Sequence, residues 1–342
     1  MDTQTGSIHY TWIDYVKFLS IFLVVFYHCP PPFTHIPHLS LSLLRIPCFF
    51  FISGLLFRFE KYPSFLKFVK RRSKQLLVPY FCFFVIFYAY WLIIGKKTGL
   101  EADQNASLFQ PLWEYLYGRP NLVCVPMWFV SCLFALQCIF YLLFRKVKNR
   151  IFALPILFSL PFVTVWVDLS NSPWMLDDVL RNIPFYGVAC LFRKEIMDPV
   201  NFKKHLIPLC LSVILYMFSV YGLTFAENNY LDILFRLVGS FCILYPVIFI
   251  FKAITGFFVK SHFVEYISTN AIVVLACHTY PVRIIWIFIE KVLHKGPDFF
   301  DGQYLLKFLM ATIILSAMII PIFLINKYIP FMVGKGKYFS GS

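Results

Sequence analysis

The chain has 342 residues, of which 60% are hydrophobic and only 14% charged, and its mean hydropathy is +0.73. That apolar share excludes an ordinary soluble domain and predicts a polytopic protein almost wholly embedded in a membrane. The net charge of +14 would suit nucleic acid, but the basic residues sit in short loops beside apolar runs. This is the pattern of membrane orientation, and nucleic acid is excluded as a partner.

The apolar runs predict about ten transmembrane helices, at 15–31, 41–57, 76–94, 126–144, 151–167, 179–192, 206–225, 232–251, 266–289 and 304–326. The fold class is therefore all-α, an integral membrane helical bundle. One membrane domain is expected over 1–342, with its core at about 12–328 and no separate soluble domain. The first run has no basic region before it and no small-residue cleavage site, so it reads as a retained helix. The ten Cys residues lie mostly inside the runs and form no C-x-x-C pair, so they read as buried apolar side chains.

Orientation follows from Lys and Arg. The loops at 58–75, 145–150, 193–205 and 252–265, with the C-terminal tail, hold 20 of them, and the alternate set holds five. Both termini are expected in the cytoplasm. Six basic residues remain inside the spans or at their edges: Lys17, Arg45, Arg181, Arg236, Arg283 and Lys307.

The first helix carries Lys17 and His28, eleven residues apart. That is almost three turns, so both project from nearly one face, separated by roughly 16 Å of rise. Asp14 shares the face. With the N-terminus inside, Lys17 lies near the cytoplasmic surface and His28 in the outer half. Ionisable groups within a membrane are costly and usually face a cavity or a partner. Two plainer readings stand beside this: Lys17 as a snorkelling residue paired with Asp14, and His28 as an interfacial histidine. His278 lies mid-span in "ACHTYPVR", before Pro281 and Arg283, as a second titratable candidate or a histidine bonded to a neighbouring helix. Arg45, Arg181, Arg236 and Arg283 all fall toward the outer ends of their spans, where they could form an electropositive mouth for an anionic acceptor. Arg181 and Arg236 could equally pair with Asp177 and Asp232 four residues earlier, and Arg283 could snorkel. Ser53 and Gly54 suit close helix packing. Trp128 suits the interface, and the outer segment 95–125, with Glu101, Asp103, Trp113 and Glu114, is long enough to cover a cleft.

Five segments add to this pattern: "RIPCFFFISGLLF" (45–57), "RRSKQLLVPYF" (71–81), "PMWFVSCLFAL" (126–136), "LRNIPFYGVACLFRK" (180–194) and "ISTNAIVVLACHTYPVR" (267–283). In this order, and with the spacing of Lys17 and His28, the chain resembles the acyltransferase 3 family, closest to its fucose 4-O-acetylase-like branch. The family commonly carries Arg where Lys17 stands, followed after ten residues by His. Lys keeps the charge but lacks the bidentate fork for phosphate.

The resemblance implies an acyltransferase, with no cofactor beyond an acyl-CoA co-substrate, here expected to be acetyl-CoA. The acceptor it implies is a sugar hydroxyl of a cell-surface polysaccharide or its lipid-linked precursor, and the place a bacterial inner or plasma membrane. His28 and His278 are the catalytic candidates. Lys17 and Asp14, with Arg71 and Arg72 of the inner basic loop, are the donor-binding candidates. Arg45, Arg181, Arg236 and Arg283 are the candidates for acceptor or oxyanion contacts. A transporter or flippase with buried charges lining its pathway is the alternative, although no repeat-related pair of broken helices is visible.

Overall fold

The computed structural model describes residues 10–30, 32, 35–98, 104–147, 149–199, 202–255, 260–296 and 302–335. Glu101 and Asp103 lie outside the described residues. Among these the secondary structure is helical throughout, with no strand. Eight helices are long and apolar enough to cross a membrane: α1 (Thr11–His28), α2 (here Ile36–Leu56), α3 (Phe65–Gly95), α5 (Val125–Phe144), α8 (Lys204–Leu223), α9 (Asn229–Ile254), α11 (Ala271–Lys291) and α12 (Tyr304–Tyr328). Between them lie α4 (Gln110–Leu116), α6 (Arg150–Trp166), α7 (Leu176–Leu191) and α10 (His262–Thr269). The chain is thus an all-α polytopic membrane protein.

Two of the ten expected spans form shorter helices of 17 and 16 residues. The run at 151–167 forms α6, in which a 3-10 turn at Leu160–Phe162 interrupts the helix around Pro161. Proline removes a backbone donor and crowds the preceding turn, so the periodicity breaks there. The run at 179–192 forms the 16-residue α7. Its start is set by two residues in left-handed conformation, Trp174 (φ 58°) and Met175 (φ 53°). That turn is pinned by the Trp174 N–H donating to the Tyr117 carbonyl at 2.7 Å. Gly118 beside it has φ +78°, and an added Cβ would meet the Trp174 Cα at 2.8 Å, so only glycine fits without strain.

The centre of the bundle is α1. One face of it, with Trp12, Ile13, Val16 and Val24, packs into an apolar core shared with α2, α5, α7 and α9. The other, with Ile21, Val25 and Cys29, packs into a second core built from α3, α10, α11 and α12. The helix that carries Lys17 and His28 is therefore the partition between two packing layers, and its polar residues meet groups from both sides. The α2–α7 pair is especially close: a Cβ on Gly54 would stand 2.1 Å from the Tyr186 carbonyl oxygen. This contact requires glycine and agrees with the packing role read for that position.

Candidate active site

Helix α1 ends at His28 for a local reason. Cys29 is extended (φ −71°, ψ 145°), as a residue before proline prefers, and Pro30, Pro31 and Pro32 follow. His28 thus occupies the last turn. Its ring lies beside that of His278, with centroids 5.2 Å apart and planes inclined at 54°.

His278 is completely buried. Its helix carries Pro281 three residues on, which cannot donate to the Cys277 carbonyl and loosens the ladder at that level. The His278 Nδ1 lies 2.7 Å from the Val274 carbonyl oxygen. A carbonyl only accepts, so Nδ1 carries the proton and Nε2 the lone pair. Nε2 is buried and makes no hydrogen bond among the described residues. A polar atom in that state is costly unless the site uses it. The described hydrogen bond of His278 is thus to its own helix and not to a neighbouring one, and the second nitrogen is left over.

Two cations frame the pair. The Arg45 guanidinium carbon stacks 3.5 Å from the centroid of the Tyr27 ring, close enough for a cation–π contact. The Tyr27 hydroxyl lies 3.2 Å from His38 Nε2. On the other side, the fully buried Lys307 of α12 donates from Nζ to the Cys29 carbonyl at 2.6 Å. Both Arg45 and Lys307 interact electrostatically with the His28 imidazole. Residues from α1, α2, α11 and α12 thus converge at the C-terminal end of α1.

Arg45 also opens onto a cavity of about 380 Å³ that holds Arg181, Arg236, Asp178, Asn182 and Trp128. Three of the four outer arginines therefore share one chamber, in the outer half of the bundle under the orientation expected from the loop charges. Arg236 is held by a two-point pair with Asp232, Nε to Oδ1 at 3.0 Å and to Oδ2 at 2.9 Å, as its sequence spacing allowed. The fourth, Arg283, is elsewhere. It donates from Nη2 to the Leu122 carbonyl at 2.6 Å, while Tyr280 donates to the Val123 carbonyl at 3.0 Å. These contacts clamp the outer segment 121–124 against α11. Neither residue lines the chamber.

At the other end of α1, Lys17 Nζ is 3.9 Å from Asp14 Oδ1, and the Ser268 hydroxyl donates to the same oxygen at 3.2 Å. Arg71 and Arg72 line a separate cavity of about 220 Å³ with Arg58, Lys61, Gln75 and Ser53. Arg72 donates to the Gln75 side chain at 2.9 Å. Gln137, buried in α5, donates to Ser53 Oγ at 3.2 Å, so a polar contact lies beneath the basic chamber. Lys61 sits among cations, and its pKa is lowered by burial and then by Arg58, Arg71, Arg193 and Arg72. Lys17 does not line this chamber.

Sequence reasoning left Lys307 and Tyr27 out of the site. A lone lysine in the apolar run "YLLKFLMATIILSA" was the available signal for the first. Tyr27 gave none, because an aromatic residue in a chain with 42 Phe and 20 Tyr is unremarked.

Two comparisons with known proteins bear on this arrangement. The family described as "Acyltransferase domain" matches residues 10–327. The chain is also 25% identical over 245 residues to "Inner membrane protein YcfT" of Escherichia coli (strain K12), a stretch that covers 60% of this chain and 63% of that protein. The chain thus spans less than two thirds of that relative's length. No solved structure matches at a significant level. A match over nearly the whole described bundle, including every helix that contributes to the histidine site, places this chain in the acyltransferase 3 family.

Proposed function

We propose that the protein transfers an acyl group, in the first instance acetyl, from acyl-CoA to a sugar hydroxyl of a surface polysaccharide or its lipid-linked precursor. The supporting observation is the position of Arg45. It lines the outer chamber with Arg181 and Arg236 and stacks on the residue that precedes His28. An acceptor held by the arginines would therefore lie next to the histidine pair. Membership of the acyltransferase family and the inner-membrane relative support the same reading.

In this scheme the thioester carbonyl and the sugar hydroxyl meet at His28. The imidazole removes the hydroxyl proton as the oxygen attacks the carbonyl carbon, and a tetrahedral oxyanion forms. Collapse breaks the carbon–sulfur bond, and the imidazolium returns its proton to the departing thiolate. Arg45 is the candidate for stabilising negative charge that develops during attack. His278, with its Nε2 lone pair, orients His28 in this scheme by accepting from its second nitrogen once the rings close together from their 5.2 Å centroid separation. The donor enters from the cytoplasm, with its phosphates near Arg58, Lys61, Arg71 and Arg72 and near Lys17, and its thin arm runs along α1. The roughly 16 Å between Lys17 and His28 suits that arm.

The test is transfer of labelled acetyl from acetyl-CoA to isolated surface glycan by purified protein in vesicles. Labelled glycan that depends on the protein supports the reading. Absence of label with movement of glycan across the bilayer would replace it with transport.

A further inference from the structure

Lys307 makes a contact that the transfer scheme leaves unexplained. A buried ammonium is expensive to desolvate, and an isolated cation inside a bundle seldom adds stability. One of its contacts is to a backbone oxygen, that of Cys29, 2.6 Å away.

The reason lies in the sequence after α1. The last carbonyls of any helix lack internal partners. They are usually satisfied by the N–H groups of the residues that follow. Pro30, Pro31 and Pro32 have no N–H to offer. The three prolines that follow Cys29 thus supply no backbone donor to the helix end, inside a membrane where water is scarce. Cys29 can still donate its own N–H back to the Val25 carbonyl at 3.1 Å, but its oxygen needs a donor from elsewhere. Lys307 provides one from 278 positions away in sequence. Its charge suits the negative end of the α1 dipole. The Phe26 ring, 5.4 Å from Nζ, covers the ammonium from the side.

The consequence falls on His28, the residue before Cys29. Fixing the Cys29 carbonyl fixes the last turn of α1, and with it the vector of the His28 side chain toward His278. We infer that Lys307 is a positioning residue: it pins the proline-terminated end of α1 and so holds the His28 imidazole in register with His278. The inference rests on His28 being the base of the proposed transfer, but the geometry it asserts can be measured without any reaction.

The experiment uses the full chain in lipid with ¹⁵N-labelled histidine, and signals assigned through His28→Gln and His278→Gln. Lys307→Met keeps the length and removes donor and charge. It should shift or broaden the His28 ring signals while His278 Nδ1 stays protonated on Val274. It should also lower kcat at least tenfold with the donor KM within twofold, and Lys307→Arg should restore both. Should Lys307→Met fail to insert, Lys307→Gln is the second variant, with the same His28 shift expected in smaller measure. Unchanged His28 signals in the neutral variants would overturn the inference. So would equal disturbance of every histidine with a fall in melting temperature, which would mark a merely structural lysine. If the wild type transfers no acetyl, the proposed function fails, and the ring signals still decide the role of Lys307.

Discussion

His28 and His278, from helices at opposite ends of the chain, stack obliquely with ring centroids 5.2 Å apart, and only one nitrogen of the buried partner is committed to backbone. The pair is unequal. His278 is fully buried and tautomerically fixed, whereas His28 is partly accessible at the end of α1. The accessible ring suits proton transfer with a substrate, and the fixed ring suits orientation of its neighbour. His278→Gln should therefore lower kcat about 10- to 100-fold while leaving donor affinity within twofold. Steady-state kinetics with acetyl-CoA as the varied substrate checks this. A proportional loss of affinity would argue against an orienting role.

Donor binding should depend on charge at the inner end of α1. Lys17→Gln should weaken acyl-CoA binding about tenfold, and Lys17→Arg should retain it, because a charge-assisted contact to phosphate is worth roughly 1.5–3 kcal/mol. Calorimetry on the purified protein is the measurement. Equal affinity in wild type and Lys17→Gln would leave Lys17 as the partner of Asp14 alone, 3.9 Å away.

The inner basic chamber carries a pH signature. Crowding by burial and by four arginines holds the Lys61 pKa below its ordinary value. An anionic donor in the chamber would raise it again, so the bound state holds more protons than the free state. Donor affinity should then fall as pH rises through that lowered value, and binding should take up protons when measured in two buffers of different ionisation enthalpy. Replacing Arg71 and Arg72 together by Ala should weaken donor binding and flatten its dependence on salt.

The contact between α2 and α7 gives a stability prediction. Gly54→Ala places a methyl 2.1 Å from the Tyr186 carbonyl oxygen, which is backbone and cannot rotate away. The helices must separate, at a cost of about 1–3 kcal/mol or more. The melting temperature in detergent should drop, and activity should fall with the folded fraction.

Much of this was legible in the chain. The apolar runs gave the fold class because a bilayer admits few architectures. Charge placement along α1 gave Lys17, Asp14 and His28 because helical periodicity fixes which residues share a face. The arginine chamber was legible as four residues near one side, but the sequence could not tell that Arg283 turns instead to the Leu122 carbonyl. That choice depends on where segment 121–124 packs, which no local pattern encodes. Likewise the runs at 151–167 and 179–192 do form helices, but the 3-10 turn around Pro161 inside the first and the left-handed pair Trp174 and Met175 that starts the second have no hydropathy signature. Lys307 was visible as a charge out of place, but its partner was a backbone oxygen, and backbone acceptors have no sequence signature.

Orientation remains a prediction of the charged loops. On a background without native Cys, Lys67→Cys should resist a membrane-impermeant thiol reagent applied from outside, and Gln104→Cys should react. The reverse pattern would place the basic chamber and the donor on the wrong side of the bilayer.

The role of His28 is tested most directly by His28→Ala, assayed for transfer of labelled acetyl to isolated surface glycan, with acetyl-CoA binding and melting temperature measured on the same preparation. Loss of a positioned base should lower the transfer rate about 10²- to 10⁴-fold, with binding and melting close to wild type. Transfer near the wild-type rate in His28→Ala would contradict the assignment, and if His278→Ala were then inactive at unchanged stability, His278 would be the base instead.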